Sequence, residues 1–282
     1  MTVDITDKIN HYQHILRQAI DSNQLVLPSL PEVAFRVKQE CENEEASVSN
    51  IVDALTEDSA LSVRLMHIAN SSMYRTRSEA DDLKQAVTRL GLKLVKNLVI
   101  SLAMKQLFQS SNHVINELLR EQWLASTKAA AMSQTLAQNT PQLTPENALL
   151  AGLTHNIGSL PILLLAEDDD DLFDDIKTLC LIIKNLQGEI GHHIFQSWNF
   201  PDYLSAVALH CYEFDRDHNG PADYIDLVQV ALVETSIYTG LECPEDWASI
   251  PAFAKLDVYT DKGVIEIEEN RIIFEETEAL FA

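Results

Sequence analysis

The sequence is poor in glycine, proline and positive charge, and each shortage argues against a class of protein. With 8 glycines and 9 prolines in 282 residues, it lacks the many tight turns of a β-sandwich or β-barrel. Its 43 acidic residues outnumber its 20 basic ones, giving a net charge of −23. Because DNA, RNA and anionic membranes are also polyanions, we expect no nucleic-acid partner and no membrane partner.

Cysteine pairs and export signals are missing as well. The four cysteines, at positions 41, 180, 211 and 243, form no CxxC pair, which is typical of reduced thiols in a cytosolic protein. The opening MTVDITDKINHYQ has no apolar signal segment. The apolar run LPILLLA is too short to cross a bilayer. We therefore expect a cytoplasmic protein.

Familiar catalytic and cofactor-binding motifs are also absent. The chain contains no GxSxG, no P-loop and no glycine-rich dinucleotide turn. The acidic stretch EDDDDLFDD at 167–175 lacks the glycine and the spacing of an EF-hand loop, so we interpret it as a solvated turn or the start of a helix. We expect no cofactor and assign no catalytic residue.

Apolar residues recur at helical spacing along most of the chain, which predicts an all-α protein. Ser47 and Asp58 stand just before apolar periodic segments, where N-cap residues are expected, and Ser29 is a third candidate. Gly91 is placed to end a helix, because glycine adopts positive φ without strain.

The helical segments divide into two lobes, residues 1–112 and residues 113–240, followed by a C-terminal extension, residues 241–282. In the extension, apolar residues alternate in a way that fits a short β-hairpin, and a helix is the alternative. The residues concerned are Val264, Ile265, Ile267, Ile272 and Phe274.

Five segments occur in an order that points to a family. They are LPSLPEVAFRV, LTEDSALSVRLMHIANSSMY, AVTRLGLKLVKNLVISLAM, AGLTHNIGSLPILLL and GHHIFQSWNFPDYLSAVALH. Over most of its length the chain resembles the HDOD-domain proteins, bacterial signalling relatives of the HD and HD-GYP phosphohydrolases. The resemblance implies a multi-helical HD-like fold preceded by a helical N-terminal lobe. It also implies a regulatory role without the phosphohydrolase metal site.

The resemblance further implies where the metal ligands of an active relative would stand. The His-Asp doublet of that superfamily corresponds to His155–Asn156, and asparagine offers one neutral oxygen in place of a charged carboxylate. The remaining ligand positions are filled by Ala125 or Ser126 for an early histidine, Gln187 for a further histidine, His210 for a later histidine and Glu234 for a late aspartate.

This set contains too few anionic ligands for a catalytic metal ion. The neighbours His192 and His193 point about 100° apart on a helix and cannot chelate one metal ion together. The leading interpretation is therefore a non-catalytic signal-transduction protein with a vestigial metal site. The alternatives are a residual metal-dependent phosphohydrolase and a sensor that binds a nucleotide-like ligand in the vestigial pocket.

Positive charge is concentrated in the first lobe. From Arg64 to Lys105 there are eight basic residues and three acidic ones, a local charge of +5. This stretch could be one solvated helix face, or it could bind an acidic protein partner such as a sensor kinase, a response regulator or a cyclic-dinucleotide enzyme. The candidate contact residues are Arg75, Arg77, Lys84 and Lys93.

Overall fold

The computed structural model describes the chain in nine ranges, and every regular element within them is helical. The described residues are 5–22, 27–43, 45–74, 78–167, 169–173, 175–235, 246–258, 263–266 and 268–281. No strand occurs in these ranges, which confirms the predicted all-α class.

Six helices form the part of the fold that corresponds to the first predicted lobe. They are α1 (Ile5–Asp21), α2 (Glu32–Glu42), α3 (Val48–Thr56), α4 (Ser59–Ala69), α5 (Leu83–Leu90) and α6 (Leu92–Met104). A 3₁₀ turn at Lys105–Leu107 follows α6 and leads towards the second lobe.

Nine further helices follow within the described ranges. They are α7 (His113–Gln138), α8 (Pro145–Thr154), α9 (Ser159–Glu167), α10 (Asp170–Phe173), α11 (Ile176–Ser197), α12 (Asp202–His210), α13 (Tyr224–Glu234), α14 (Pro251–Lys255) and α15 (Glu268–Phe281). The acidic stretch at 167–175 contains α10 and supplies Asp175, whose side chain accepts a hydrogen bond from the Thr178 N–H at the start of α11.

Local capping explains several of the helix boundaries. The side chain of Ser47 accepts a hydrogen bond from the N–H of Asn50 at the start of α3, and that of Asp58 caps α4. Gly91 has a φ of 79° and separates α5 from α6. These three predictions are confirmed. Ser29 is not a cap, because α2 begins after Pro31 and has no side-chain cap.

The C-terminal extension adopts the helical alternative rather than the hairpin. Val264–Glu266 form a 3₁₀ turn and α15 follows, whereas Ile267 lies outside the described residues. Asn270, Thr277 and Phe281 are buried at helical spacing, which explains why a pattern chosen from five apolar residues alone was misleading.

The apolar core is continuous across the two predicted lobes and includes residues from Tyr12 to Phe281. Although α1 begins the first lobe, it packs on α11, and its Tyr12 hydroxyl donates to Asp169 Oδ2 over 2.8 Å. At the other end of the chain α15 packs along α7, where Trp123 Nε1 donates to the carbonyl of Phe281 over 3.0 Å.

The segment Pro145–Glu167, which contains α8 and α9, is long and apolar enough to cross a membrane by length and composition. It is the one such segment among the described ranges, and 89 % of its most apolar window is buried inside the fold. This burial is typical of helices at the centre of a core, and it places the predicted doublet inside the molecule.

Glycine permits a close approach between α7 and α8. A Cβ atom on Gly152 would lie 2.6 Å from Ala130 Cα and 2.7 Å from the carbonyl oxygen of Ala129. Gly158, in the turn after α8, faces the carbonyl oxygen of Gln187 so closely that a Cβ would lie 1.8 Å from it. Both contacts are with main-chain atoms, which cannot rotate away as a side chain can.

We expect Gly152→Ala to lower the free energy of unfolding by about 1–3 kcal/mol, because the added methyl group forces α7 and α8 apart. Helix propensity alone predicts the opposite, a gain of about 1 kcal/mol. Chemical denaturation distinguishes the two. Lys128→Ala, at an exposed position of α7, serves as the control and should change little. A Gly152→Ala protein as stable as the wild type would contradict the close packing.

Candidate functional site

The His155–Asn156 doublet lies in the turn between α8 and α9. The turn is closed by two main-chain hydrogen bonds, from Ile157 N–H to the carbonyl of Thr154 (3.1 Å) and from Ser159 N–H to that of Asn156 (2.9 Å). His155 and Asn156 are each 1 % exposed. The fold therefore places the doublet in the interior of the protein, and the chemistry of the doublet depends on the buried groups around it.

Asn156 is held by two residues of α7. Its Nδ2 donates to Gln122 Oε1 over 2.8 Å, with the Gln122 main-chain oxygen at 3.4 Å. The hydroxyl of Ser126 lies 2.9 Å from both Asn156 Oδ1 and the Gln122 carbonyl oxygen, so its single proton is shared between them. Of the two positions predicted for the early histidine, Ser126 is the one that contacts the doublet. The network needs an amide at residue 156, because one end donates and the other accepts.

His155 is a neutral imidazole. Its Nδ1 lies 2.7 Å from the carbonyl oxygen of Gly152, so Nδ1 carries the proton and donates. Burial lowers the pKa of His155 to about 4, and the hydrogen bond to Gly152 opposes this shift only in part. The lone pair of Nε2 points into the interior, where it has no hydrogen-bond partner.

Gln187 and Tyr212 complete the surroundings of the imidazole. The rings of His155 and Tyr212 are 5.9 Å apart between centroids. The Gln187 amide lies against the Tyr212 hydroxyl without a well-formed hydrogen bond, and the Ser159 hydroxyl also has no partner. Burial raises the pKa of Tyr212 well above its ordinary value, so its hydroxyl stays uncharged at neutral pH.

These buried residues do not fit a divalent metal ion. His155 Nε2 is a good ligand atom, but the other nearby donors are amides and hydroxyls. A cation there would be buried without a carboxylate to balance its charge, at a cost of several kcal/mol. Mg²⁺ and Mn²⁺ select carboxylate-rich oxygen sites, and this site has no carboxylate from the predicted set.

The two remaining predicted ligands lie elsewhere. The side chain of His210 is 38 % exposed, and its Nδ1 pairs with Glu213 Oε2 at 2.9 Å. Glu234 Oε2 accepts a hydrogen bond from the Val264 N–H over 3.3 Å, and burial raises the pKa of the Glu234 carboxyl above its ordinary value. The chain thus joins Glu234 to the C-terminal extension. Within the described residues, His155, His210 and Glu234 do not form a group of three close metal-binding side chains.

The adjacent histidines of α11 have separate surroundings. The ring planes of His192 and His193 are inclined at 79°, with centroids 5.9 Å apart. His192 Nδ1 is buried and has no hydrogen-bond partner. Neither residue belongs to a group of three close metal-binding side chains within the part of the chain that the structure describes.

One cluster of ligand-type side chains was not predicted. His218, Asp223 and Asp226 bring their ligand atoms within 4.8 Å of one another, and this is the one such group in the described ranges. Asp226 is fully buried and accepts from His218 Nε2 (3.0 Å) and Arg216 Nη1 (3.2 Å). Arg216 also binds Asp223 at 2.6 Å, so a guanidinium already balances the carboxylates.

The spacing of Asp223 and Asp226 in the sequence could have predicted part of this cluster. Asp223 is the N-cap of α13 and Asp226 is its third residue, and their side chains form a reciprocal capping box. Capping and the ion pair with Arg216 account for all four carboxylate oxygens of Asp223 and Asp226. We therefore interpret the cluster as structural.

The structure describes two of the four predicted partner-binding residues. Lys84 lies on α5 and Lys93 on α6, and both are exposed. Arg75 and Arg77 lie outside the described residues. The nearby Arg89 is not free to bind a partner, because its guanidinium donates to the carbonyl oxygens of Ala69 and Ser78.

We expect Asn156→Asp to lower the free energy of unfolding at pH 7 by about 2–4 kcal/mol, because it buries a carboxylate against Gln122 oxygens with no cation nearby. Burial would raise the pKa of this carboxyl. The folded state would then bind a proton that the unfolded state releases, so the deficit should shrink as the pH falls below the raised pKa.

Denaturation curves at pH 7 and pH 5 test this expectation. The same substitution at an exposed site of α11, Asn185→Asp, is the matched control and should change stability by less than about 0.5 kcal/mol at either pH. An Asn156→Asp protein with wild-type stability at pH 7 would show that the site tolerates charge.

Known proteins share both the sequence pattern and the fold. A family model for the HDOD domain matches residues 27–214. A protein from Shewanella amazonensis SB2B, named as a candidate metal-dependent phosphohydrolase, is 27 % identical with a TM-score of 0.88, over 98 % of this chain and 100 % of that one. An HDOD domain protein with unknown function from Geobacter sulfurreducens is 18 % identical with a TM-score of 0.69, over 99 % of each chain.

Two further relatives extend this picture. A candidate signal transduction protein from Marinobacter aquaeolei VT8 is 21 % identical with a TM-score of 0.62, over 99 % of this chain and 66 % of that one. An uncharacterized protein of Treponema pallidum (strain Nichols) is 24 % identical over 239 residues, 80 % of this chain and 44 % of the relative. The chain thus spans less than half the length of that relative. Because the HDOD model covers well over half of the residues, this chain belongs to the HDOD domain family.

Proposed function

We propose that this HDOD protein is a cytoplasmic regulator in bacterial signal transduction, that it acts by binding another protein, and that it does not hydrolyse phosphoesters. One observation carries the proposal. Asn156 stands at the carboxylate position of the His-Asp doublet, and both ends of its side chain are bound by Gln122 and Ser126. The residue serves the packing of α7 against α8 and has no free oxygen for a metal ion.

The chemistry of phosphoester hydrolysis supports the same conclusion. A metal-dependent phosphohydrolase needs cations that activate water and offset phosphate charge. Around His155 the chain provides one imidazole lone pair and otherwise neutral oxygen and nitrogen atoms. Substrate access is a second obstacle, since His155, Asn156 and Gln187 are each about 1 % exposed.

A residual phosphohydrolase is the competing function, and the name of the Shewanella amazonensis relative favours it. It requires ligands that the described residues do not bring to the doublet, because His210 and Glu234 bind Glu213 and Val264 instead. A sensor that binds a nucleotide-like ligand beside His155 is also disfavoured, because the ligand could not reach a histidine that is buried in the core. Regulation through a protein partner requires neither a metal ion nor an opening of the core.

The basic stretch of the first lobe is the proposed docking surface, and its partner is a protein with an acidic face. The local charge of +5 between Arg64 and Lys105 stands out on a chain of net charge −23. Opposite charges steer association and select partners. A sensor kinase, a response regulator or a cyclic-dinucleotide enzyme is the class of partner we propose.

We expect the triple variant Arg75→Glu, Arg77→Glu, Lys84→Glu to bind its partner with at least tenfold lower affinity, because the substitutions turn electrostatic attraction into repulsion. Proximity labelling in the bacterium that carries the chain would identify proteins enriched by the wild type over the triple variant. Each candidate is then purified and titrated against both proteins by calorimetry.

Lys128→Glu, which reverses one exposed charge on α7, is the control and should keep the affinity. The docking proposal fails if the triple variant retains every partner with wild-type affinity. The non-catalytic proposal fails separately, if the purified protein shows metal-dependent phosphodiesterase turnover that His155→Ala removes.

A further inference from the structure

A cavity of about 230 Å³ lies between α2 and α6 of the first lobe and α8 and α12 of the second. It is separate from the His155–Asn156 doublet, and none of the metal-ligand candidates lines it. Its volume is just below the range of drug-sized pockets, roughly 300–1,000 Å³. The cavity is therefore suited to a small metabolite, and a macromolecular chain would not fit it.

The walls of the cavity carry an excess of positive charge. Lys38, Lys93 and Lys96 line it together with one acid, Glu42. Glu42 is shared, with its oxygens 2.8 Å from Lys38 Nζ and 3.6 Å from Lys96 Nζ. Lys38 is only 6 % exposed. Three ammonium groups against one carboxylate leave two positive charges in a chain that is otherwise strongly acidic.

The start of α12 adds to the positive potential. Pro201, Tyr203 and Leu204 line the cavity, and α12 has Pro201 as its N-cap, without a side-chain hydrogen bond to its first turn. The positive end of the helix dipole favours an anion at such a position. Asp202 lies in the same turn but does not line the cavity.

The remaining lining residues offer apolar and amide groups. Phe200 lies beneath Lys38, with Nζ 5.6 Å from the ring centroid. Tyr203 is packed on Tyr224, with ring centroids 4.6 Å apart. Polar contacts are available from the pair Asn97 and Asn147, whose side chains are joined by a 2.9 Å hydrogen bond. A ligand with a charged end and an uncharged body matches this division.

We propose that this cavity binds a small phosphate monoester, with the phosphate near Lys93 and Lys96 and the organic group against Phe200 and Tyr203. A phosphate monoester carries a charge of about −1.5 to −2 at pH 7, which balances the excess of two positive charges. Because its walls come from both lobes, an occupied cavity links them. The cavity shares Lys93 with the candidate docking residues, but the triple variant that tests docking leaves Lys93 unchanged, so the two proposals can fail separately.

Thermal shift and calorimetry with three phosphate monoesters and their neutral counterparts test the proposal. The probes are glycerol 3-phosphate, glucose 6-phosphate and adenosine 5′-monophosphate, against glycerol, glucose and adenosine. We expect at least one monoester to raise Tm, by roughly 5 °C at about 100 times its Kd, while its neutral counterpart has no effect.

Charge reversal then locates the bound anion. We expect Lys93→Glu, Lys96→Glu to lower the affinity of that monoester at least tenfold, and Lys128→Glu, at an exposed position of α7 that does not line the cavity, to leave it unchanged. If the double variant fails to fold, Lys93→Ala at its exposed position should weaken binding in the same direction. The proposal is overturned if no monoester shifts Tm, if a neutral counterpart shifts it equally, or if Lys128→Glu weakens binding as much.

Discussion

The exclusion of charge from the contact between α7 and α8 is the constraint on which the rest of the site depends. Gly152 allows the two helices to approach to main-chain contact, and this approach brings Asn156 within hydrogen-bonding distance of Gln122 and Ser126. At such burial an unpaired carboxylate or a metal ion would cost several kcal/mol. Neutral amides form hydrogen bonds with each other in the same space. The core can therefore be closely packed at this point or hold a catalytic metal ion, but not both.

The sequence predicted the all-α fold, because helical periodicity is a local pattern. The vestigial character of the doublet stays a prediction. Helical periodicity is visible without tertiary contacts, and replacing aspartate by asparagine changes the ligand chemistry wherever the residue lies. The partners of Asn156 could not be predicted, since Gln122 lies 34 residues away in sequence. For the same reason the burial of Asn270, Thr277 and Phe281 on α15, which decided between hairpin and helix, became visible only in the folded chain.

Charge in this protein is organised in separate regions with separate roles. Neutral groups surround the His155–Asn156 doublet, and the buried Asp226 is balanced by Arg216 and His218 in a structural network. Excess positive charge remains on the first lobe and in the cavity between the lobes. This separation of charge supports the proposal of a regulator that recognises anionic partners on its surface and in the cavity between the lobes. The apolar core keeps the two lobes together.

Metal content is the most direct test of the central claim, that the doublet of this HDOD protein is a packing element. The protein should be purified without a histidine tag and without chelators, and analysed by inductively coupled plasma mass spectrometry. The account predicts iron, manganese and zinc well below one ion per chain, at the same level in His155→Ala. Near-stoichiometric metal in the wild type that is lost in His155→Ala would contradict it.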